Sequence, residues 1–125
     1  MKQKLKLALV GAGERGQYCY APYAKMHGYE IEFVAVADPH KGRRGKFVQD
    51  YHVPAEGVFE TAEQFFARPR MADAVLICTQ DSQHYAYACQ AIDLGYSILL
   101  EKPISPSVRE CLDLQRRAEE KGTQI

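Results

Sequence analysis

The stretch Val10-Gly11-Ala12-Gly13-Glu14-Arg15-Gly16 decides the fold of this chain. It follows the apolar run Leu5–Val10, and its glycines have the G-x-G-x-x-G spacing that is typical of a strand turning sharply into a helix. One glycine permits the turn, one lets a pyrophosphate approach the main chain, and one lets the helix pack closely on the strand. The free N–H groups and the dipole at the start of that helix favour a bound phosphate. We therefore predict a dinucleotide site at this turn, with the candidate binding residues Gly11, Gly13, Glu14, Arg15 and Gly16.

The composition predicts one soluble domain and excludes several classes of protein. Of the 125 residues, 46% are hydrophobic, which suffices for a core, and 16 Lys and Arg offset 16 Asp and Glu. This balance gives no reason to expect a nucleic-acid or membrane partner, and the apolar runs are too short to span a bilayer. A signal peptide is not expected because Lys6 interrupts the first apolar run. The four cysteines form no C-x-x-C pair, so we expect free thiols, a cytoplasmic protein and no metal site.

An acidic residue follows the second predicted strand, Ile31–Ala37. Asp38 lies 22 residues after Gly16, close to the roughly 20 expected for the carboxylate that binds the adenosine ribose. A carboxylate can accept from both ribose hydroxyls and repels a 2′-phosphate, so Asp38 favours NAD. Asp38 before Pro39 is also a common turn pair. Arg43 and Arg44 are either a solvated helix start or ligands of a 2′-phosphate, which keeps NADP open.

The rest of the chain alternates between predicted strands and helices. The helix after Gly16 is expected to break near Tyr18 to Pro22, since an interior proline removes a hydrogen bond. Further strands are predicted at 58–59, 74–78 and 97–100. Further helices are predicted at 43–51, 61–67 and 85–95, and a last one begins at Ser105 or Ser107 and ends near Lys121. This alternation predicts an α/β Rossmann fold, a doubly wound parallel sheet of strand order 3-2-1-4-5.

The end of the chain bears on its domain organisation. Thr123-Gln124-Ile125 are predicted to be the first residues of a truncated sixth strand. The predicted elements leave no segment to form a surface for a second substrate. We therefore interpret residues 1–125 as a dinucleotide-binding domain and a fragment of a longer two-domain protein.

Four motifs together resemble a known family. They are the glycine turn, Val36-Ala37-Asp38, Ile77-Cys78-Thr79 with His84, and Leu100-Glu101-Lys102-Pro103-Ile104. The set resembles the N-terminal half of the Gfo/Idh/MocA oxidoreductases, and Glu-Lys-Pro after the fifth strand is its most specific part. The resemblance implies NAD or NADP chemistry on sugars, cyclitols and their derivatives. It also implies a C-terminal α/β domain that supplies most of the remaining catalytic residues.

The resemblance assigns roles to individual residues. It implies that Lys102 lies near the nicotinamide and the substrate hydroxyl, where it assists proton transfer as the catalytic residue. It implies that Glu101 lies beside the nicotinamide ribose, and it adds Thr79 and His84 to the cofactor-binding set. The chain has Gln80 where the family usually has proline, which predicts a more mobile or differently shaped loop.

Each of these residues also has a simpler interpretation. Lys102 is otherwise a surface lysine beside a turn, and Glu101 otherwise pairs with Lys102. His84 at a helix start is as well explained by a structural role as by a ligand contact. The tyrosine cluster is interpreted as packing around the helix break or as a surface for a partner; its members are Tyr18, Tyr20 and Tyr23.

The sequence supports three hypotheses about function. The first is the NAD(P)-binding domain of an oxidoreductase that moves a hydride between nicotinamide and a sugar-like alcohol, with little or no turnover by this chain alone. The second is a glycosidase of the same family that oxidises its sugar only transiently. The third is a non-catalytic nucleotide-binding module. An apolar face left by a missing domain would favour a homo-oligomer.

Overall fold

A five-stranded parallel sheet forms the centre of the computed structural model, which describes residues 3–125. The strands are β1 (Leu5–Val10), β2 (Ile31–Ala37), β3 (Val58–Phe59), β4 (Ala74–Ile77) and β5 (Ser97–Leu100). Their order is β3-β2-β1-β4-β5, and every neighbouring pair is parallel. The predicted fold and strand order are confirmed. The apolar sequence of β1 reflects its central place, because helices cover both faces of such a strand.

The predicted sixth strand is not formed in the part of the chain that the structure describes. Beyond β5 there is one main-chain hydrogen bond, from the N–H of Ile98 to the carbonyl of Gln124 at 2.9 Å. A parallel ladder needs evenly spaced bonds along two strands, and Thr123–Ile125 provide only this one. The five predicted strands are therefore present, whereas the prediction of a sixth strand at Thr123–Ile125 is wrong.

Within residues 3–125, five α-helices and one π-helical segment flank the sheet, and the last helix follows the fifth strand. The π-helical segment covers Glu14–Tyr20, and the helices are α1 (Pro22–Met26), α2 (Lys41–Tyr51), α3 (Ala62–Phe66), α4 (His84–Leu94) and α5 (Val108–Lys121). The predicted break before Pro22 is present. The N–H of Ala21 bonds to the carbonyl of Gly16 at 3.0 Å, and Pro22 then opens α1, where its missing N–H removes no helical bond.

Side-chain caps fix where the helices begin. Thr61 Oγ1 accepts from the N–H of Gln64 at 3.1 Å, and Ser107, not Ser105, caps α5 by accepting from the N–H of Glu110 at 3.3 Å. Helix α2 begins two residues earlier than predicted because His40 acts as its cap. Its Nδ1 accepts from the N–H of Arg43 at 3.1 Å. Histidine is not a usual cap residue, so capping preferences alone did not predict this start.

Two apolar layers pack on the faces of the sheet. One layer joins Val10, Val75 and Ile77 to helices α3, α4 and α5, and the other joins Leu9 and Val36 to α1 and α2. The second layer does not reach the β5 end of the sheet within residues 3–125, where Leu99 is 48% exposed. An apolar cleft therefore remains on that face, with Leu7, Tyr20, Tyr23, Leu76, Leu99 and Ile125 among its lining residues.

Candidate cofactor site

A cleft of about 510 Å³ lies where β1, β2 and β4 end. In doubly wound sheets, ligands bind outside the carboxyl ends of the strands, at the point where strand order reverses. Here β1 lies between β2 and β4, so the reversal falls at the glycine turn. The lining residues include Gly11, Gly13, Asp38, His40, Arg43, Thr79, Gln80, Gln83 and Tyr87.

The three glycines of the turn serve different purposes. Gly11 has φ +93°, and a Cβ there would lie 2.6 Å from the carbonyl oxygen of Cys78. Gly16 is buried, and a Cβ there would lie 2.5 Å from the carbonyl oxygen of Gly11 and 2.7 Å from Leu9 Cδ1. Gly13 differs, because a Cβ would have no atom within 4 Å. Packing explains Gly11 and Gly16, whereas Gly13 leaves main chain open toward the cleft.

Asp38 connects the glycine turn to the start of α2. Its Oδ2 accepts from the N–H of Ala12 and its Oδ1 from the N–H of His40, both at 2.7 Å. The residue is 6% exposed and lines the cleft. Asp38 therefore forms the turn that its position before Pro39 indicated, and it also faces the cleft. A carboxylate offers about four lone-pair sites, so these two bonds leave acceptor capacity.

The two arginines after Asp38 have different surroundings. The Arg44 guanidinium donates through Nη1 to the carbonyl of Asp38 at 2.8 Å, so it stabilises the main chain at the end of β2. Arg43 is exposed and lines the cleft. Of the two, Arg43 is therefore the one whose charge faces a ligand in the cleft.

The loop after β4 contributes a hydroxyl without a partner. Thr79 Oγ1 is buried, lines the cleft and has no hydrogen-bond partner among the described residues. An unmatched buried hydroxyl is costly, which suggests a ligand as its partner. The loop itself is restrained: the Gln80 side chain accepts from the main chain of Gln83, and Gln83 Oε1 accepts from the N–H of Gln80 at 3.2 Å. Side-chain hydrogen bonds thus restrain the loop at the position where the family usually has a proline.

His84 is structural in this conformation. It is fully buried, with Nδ1 2.6 Å from the carbonyl oxygen of Pro103 and Nε2 3.1 Å from that of Thr79. The ring joins the loop after β4 to the loop after β5. Of the two interpretations that the sequence left open, the geometry favours the structural one, because neither ring nitrogen faces the cleft.

Glu101 and Lys102 lie where β5 ends. The N–H of Glu101 bonds to the carbonyl of Ile77 at 3.1 Å, and its carboxylate Oε2 accepts from the hydroxyl of Tyr20. This bond is the main cause of a lowered pKa for Glu101. Lys102 acts on that carboxylate through its main-chain N–H and its charge, and its side chain is exposed. Neither residue lines the cleft. Glu101 and Lys102 therefore lie on a part of the sheet edge adjacent to the predicted residues that do line it, such as Gly11 and Asp38.

Four further residues complete the site's surroundings. Glu14 and Arg15 are exposed at the start of the π-helical segment and do not line the cleft. Burial raises the pKa of the Cys78 thiol to about 12, so Cys78 is a neutral packing residue. Sequence reasoning missed His40, whose position between Asp38-Pro39 and a predicted helix was the available sign.

Residues 3–125 lack two further features. No group of three or more His, Cys, Asp or Glu side chains is arranged to hold a metal ion. No helix in this range has the length and apolar character needed to cross a membrane.

A comparison with family models identifies the chain. The model described as the oxidoreductase family with an NAD-binding Rossmann fold matches residues 5–125. The chain belongs to the Gfo/Idh/MocA oxidoreductase family. The predicted resemblance is therefore confirmed, and the cleft belongs to the NAD-binding domain of this family.

Relatives of the Gfo/Idh/MocA family agree with this assignment. The chain is 32% identical over 108 residues to an inositol 2-dehydrogenase of Pseudomonas syringae, covering 86% of this chain and 31% of the relative. It is 28% identical over 124 residues to the scyllo-inositol 2-dehydrogenase (NAD(+)) of Bacillus subtilis, covering 98% and 34%. The chain thus spans about a third of the length of these relatives.

A solved structure agrees with the fold. The WlbA dehydrogenase of Chromobacterium violaceum, crystallised with NADH and UDP-GlcNAcA, superposes with a TM-score of 0.87. The two share 19% identity, and the match covers 98% of this chain and 34% of the other. At this identity the likeness supports the Rossmann architecture of the Gfo/Idh/MocA domain and nothing finer.

Proposed function

We propose that this domain binds NAD across the cleft and serves a longer oxidoreductase. In the whole protein, a hydride would move between nicotinamide and a secondary alcohol of a sugar- or cyclitol-like substrate. The observation that carries the proposal is the pair of open features in the cleft: the side of Gly13 on which a Cβ would meet no protein atom within 4 Å, and the hydroxyl of Thr79, which has no partner among the described residues. Both are unexplained by packing, and both suit a polar ligand.

Residues of the cleft, together with neighbours on the adjacent sheet edge, fit a dinucleotide from end to end. Gly11 and Gly13 would border the pyrophosphate, since main chain without a Cβ permits close approach. Glu14 and Arg15 follow at the start of the π-helical segment, and Arg15 adds positive charge beside the phosphates. Asp38 would accept from the adenosine ribose hydroxyls with its remaining lone pairs.

At the other end, Thr79 and Glu101 would contact the nicotinamide half. Thr79 Oγ1 is free to donate or accept, and Glu101 lies at the carboxyl end of β5, directly after the strand. His84 would contribute indirectly, because it joins the two loops that bear these residues. When bound, nicotinamide supplies the hydride acceptor or donor, and these side chains orient the ring.

Lys102 is the proposed catalytic residue of this domain. Its ammonium group is exposed beside Glu101, with three N–H donors on a flexible stem. There the ammonium form would donate to the substrate oxygen, and the neutral amine form would take up the proton of the hydroxyl as the hydride leaves, becoming the ammonium form. The inositol dehydrogenases among the relatives support a polyhydroxylated alcohol as substrate. The remaining groups that enclose such a substrate would come from outside these residues.

A binding experiment tests the cofactor assignment. NAD and NADP are titrated by calorimetry into the wild-type chain and into Asp38→Ala. We expect Asp38→Ala to weaken NAD more than NADP, because the lost carboxylate accepts from the ribose and repels a 2′-phosphate. Asp93→Ala, an exposed residue of α4, is the control and should change neither affinity. An equal loss for both cofactors would refute the ribose assignment.

An activity experiment tests the hydride chemistry. We expect the purified 125-residue chain to show little or no turnover with NAD and inositols, and a robust rate would refute that expectation. A full-length protein that contains this domain is then assayed for NADH. Net NADH from inositols or sugars supports a dehydrogenase, whereas glycoside cleavage without net NADH indicates transient oxidation.

A further inference from the structure

A hydrogen bond links Tyr20 to Glu101, two residues 81 positions apart in the sequence. Tyr20 ends the π-helical segment that follows the glycine turn, and Glu101 comes directly after β5. The Tyr20 hydroxyl donates to Oε2 of the carboxylate. The sequence left Tyr20 open between packing around the helix break and a surface for a partner, and no local spacing connects it to Glu101.

The electrostatics of the pair favour one arrangement. The Tyr20 bond lowers the pKa of Glu101 and raises the pKa of Tyr20, and each is the largest cause at its residue. The main-chain N–H of Lys102 and the charge of Arg15 lower the pKa of Glu101 further. The carboxylate is therefore ionised and the phenol neutral, which is the state in which the phenol donates.

The ring and the hydroxyl of Tyr20 have separable tasks. The ring lines the apolar cleft near Leu7 and Tyr23, a contact that phenylalanine would also make. The hydroxyl makes the bond to Glu101, which phenylalanine would lack. Packing thus accounts for an aromatic residue at position 20 and leaves the hydroxyl to be explained by Glu101.

We propose that Tyr20 is a positioning residue that fixes the Glu101 carboxylate for contact with the nicotinamide ribose. This inference rests on the proposed function, which assigns that contact to Glu101. Tyr20 takes one of about four lone-pair sites, so the carboxylate can still accept from a ribose hydroxyl. Because Tyr20 follows the glycine turn, the bond also connects the phosphate end of the site to its nicotinamide end.

Tyr20→Phe tests the inference, and Tyr23→Phe is its matched control. The Tyr23→Phe variant loses an exposed hydrogen bond of 3.1 Å, which the Tyr23 hydroxyl donates to Glu30 and not to Glu101. Two quantities are measured for each variant: the Kd for NADH between pH 4 and 8, and the titration of the Glu101 carboxyl carbon by NMR in the ligand-free chain. The second readout reports on the carboxylate itself, which a purely structural role of Tyr20 would leave unchanged.

We expect Tyr20→Phe to raise the pKa of Glu101 and to move the acid limit of NADH binding to higher pH. At neutral pH its affinity for NADH should fall about fivefold, since a bond to a charged group is lost. Tyr23→Phe should change neither quantity. In a Glu101→Gln background, the Tyr20→Phe substitution should weaken NADH no further, because the residue that it positions is already altered.

The outcomes separate this inference from the proposed function. A wild-type chain that binds NADH, with a Tyr20→Phe variant whose Glu101 titration and affinity are unchanged, refutes the positioning role alone. Losses that add fully in the double variant also refute it. A wild-type chain that binds no NADH refutes the proposed function and the cofactor-directed part of this inference with it. An unshifted Glu101 titration in Tyr20→Phe would then also refute the claim that the Tyr20 hydroxyl acts on the Glu101 carboxylate.

Discussion

The glycine turn offers a test in which stability and affinity should change independently. The perturbation is one added methyl group, as Gly13→Ala or as Gly16→Ala. At Gly16 the new Cβ would lie 2.5 Å from the carbonyl oxygen of Gly11 and 2.7 Å from Leu9 Cδ1. At Gly13 it would have no neighbour within 4 Å, and φ is −79°, which alanine adopts without strain.

The expected magnitudes follow from these surroundings. Overpacking at Gly16 should cost about 1–3 kcal/mol, since Gly11 contributes rigid main chain and Leu9 is fully buried. At Gly13, alanine reduces the entropy of the unfolded chain by about 0.4–1 kcal/mol but is a poorer residue before a helix. These two effects oppose each other, so stability should change by less than about 0.5 kcal/mol. A methyl group between main chain and pyrophosphate should weaken NADH at least tenfold, or about 1.4 kcal/mol.

The assay pairs urea unfolding followed by circular dichroism with calorimetric titration of NADH. Gly16→Ala should unfold at a clearly lower urea concentration, whereas Gly13→Ala should unfold like the wild type and bind NADH poorly. Gly45→Ala is a control, because its Cβ also meets open space and Gly45 lies outside the cleft. Normal NADH affinity in Gly13→Ala would refute the phosphate assignment. A large loss of stability in Gly13→Ala would refute the observation that a Cβ at this position meets open space.

Three further predictions concern other parts of the molecule. The hydrogen bond from the Tyr85 hydroxyl is the main cause of the strongly lowered pKa of Asp113. The ionised carboxylate therefore stabilises the fold at pH values above the ordinary aspartate pKa of about 4, and this stabilisation is lost as the pH falls. Thermal unfolding should show Asp113→Asn less stable than wild type at pH 7, with the difference shrinking toward pH 2; Asp93→Asn should show no such trend. Thr79→Val removes an unpartnered buried hydroxyl, so urea unfolding should show about 1 kcal/mol more stability while titration shows weaker NADH binding. Leu99→Lys should reduce concentration-dependent self-association in sedimentation velocity, because Leu99 lies on the uncovered sheet face; unchanged sedimentation would remove that face from consideration.

Much of the fold could be predicted because its signals are local. Apolar runs gave β1 and β2 with their observed bounds, and Gly95 and Gly122 ended their helices with φ of +87° and +67°. The turn between β1 and the π-helical segment followed from glycine spacing alone. The predicted sixth strand was wrong for Thr123–Ile125 because strand formation depends on a partner, and here only one main-chain bond is made.

The candidate site was predictable only in part because some of its contacts join distant residues. The position of Asp38 in the cleft followed from its spacing, but its bonds to Ala12 and His40 depend on how two loops meet. The bond between Tyr20 and Glu101 crosses the sheet edge and leaves no periodic trace in the sequence. His84 matched a motif whose residue type is shared by ligands and structural residues, so only its two carbonyl partners could distinguish them.

The central strand has a consequence for how the chain folds during synthesis. One edge of β1 pairs with β2, and the other edge pairs Leu7–Val10 with Ala74–Ile77, which are 67 residues later in the sequence. At about 5–20 residues per second, that second edge stays without its partner for about 3–13 s while the ribosome makes the intervening chain. An apolar strand with an open edge can pair with other chains. The nascent domain is therefore most prone to aggregation before β4 leaves the ribosome, and a chaperone that shields β1 should act in that interval.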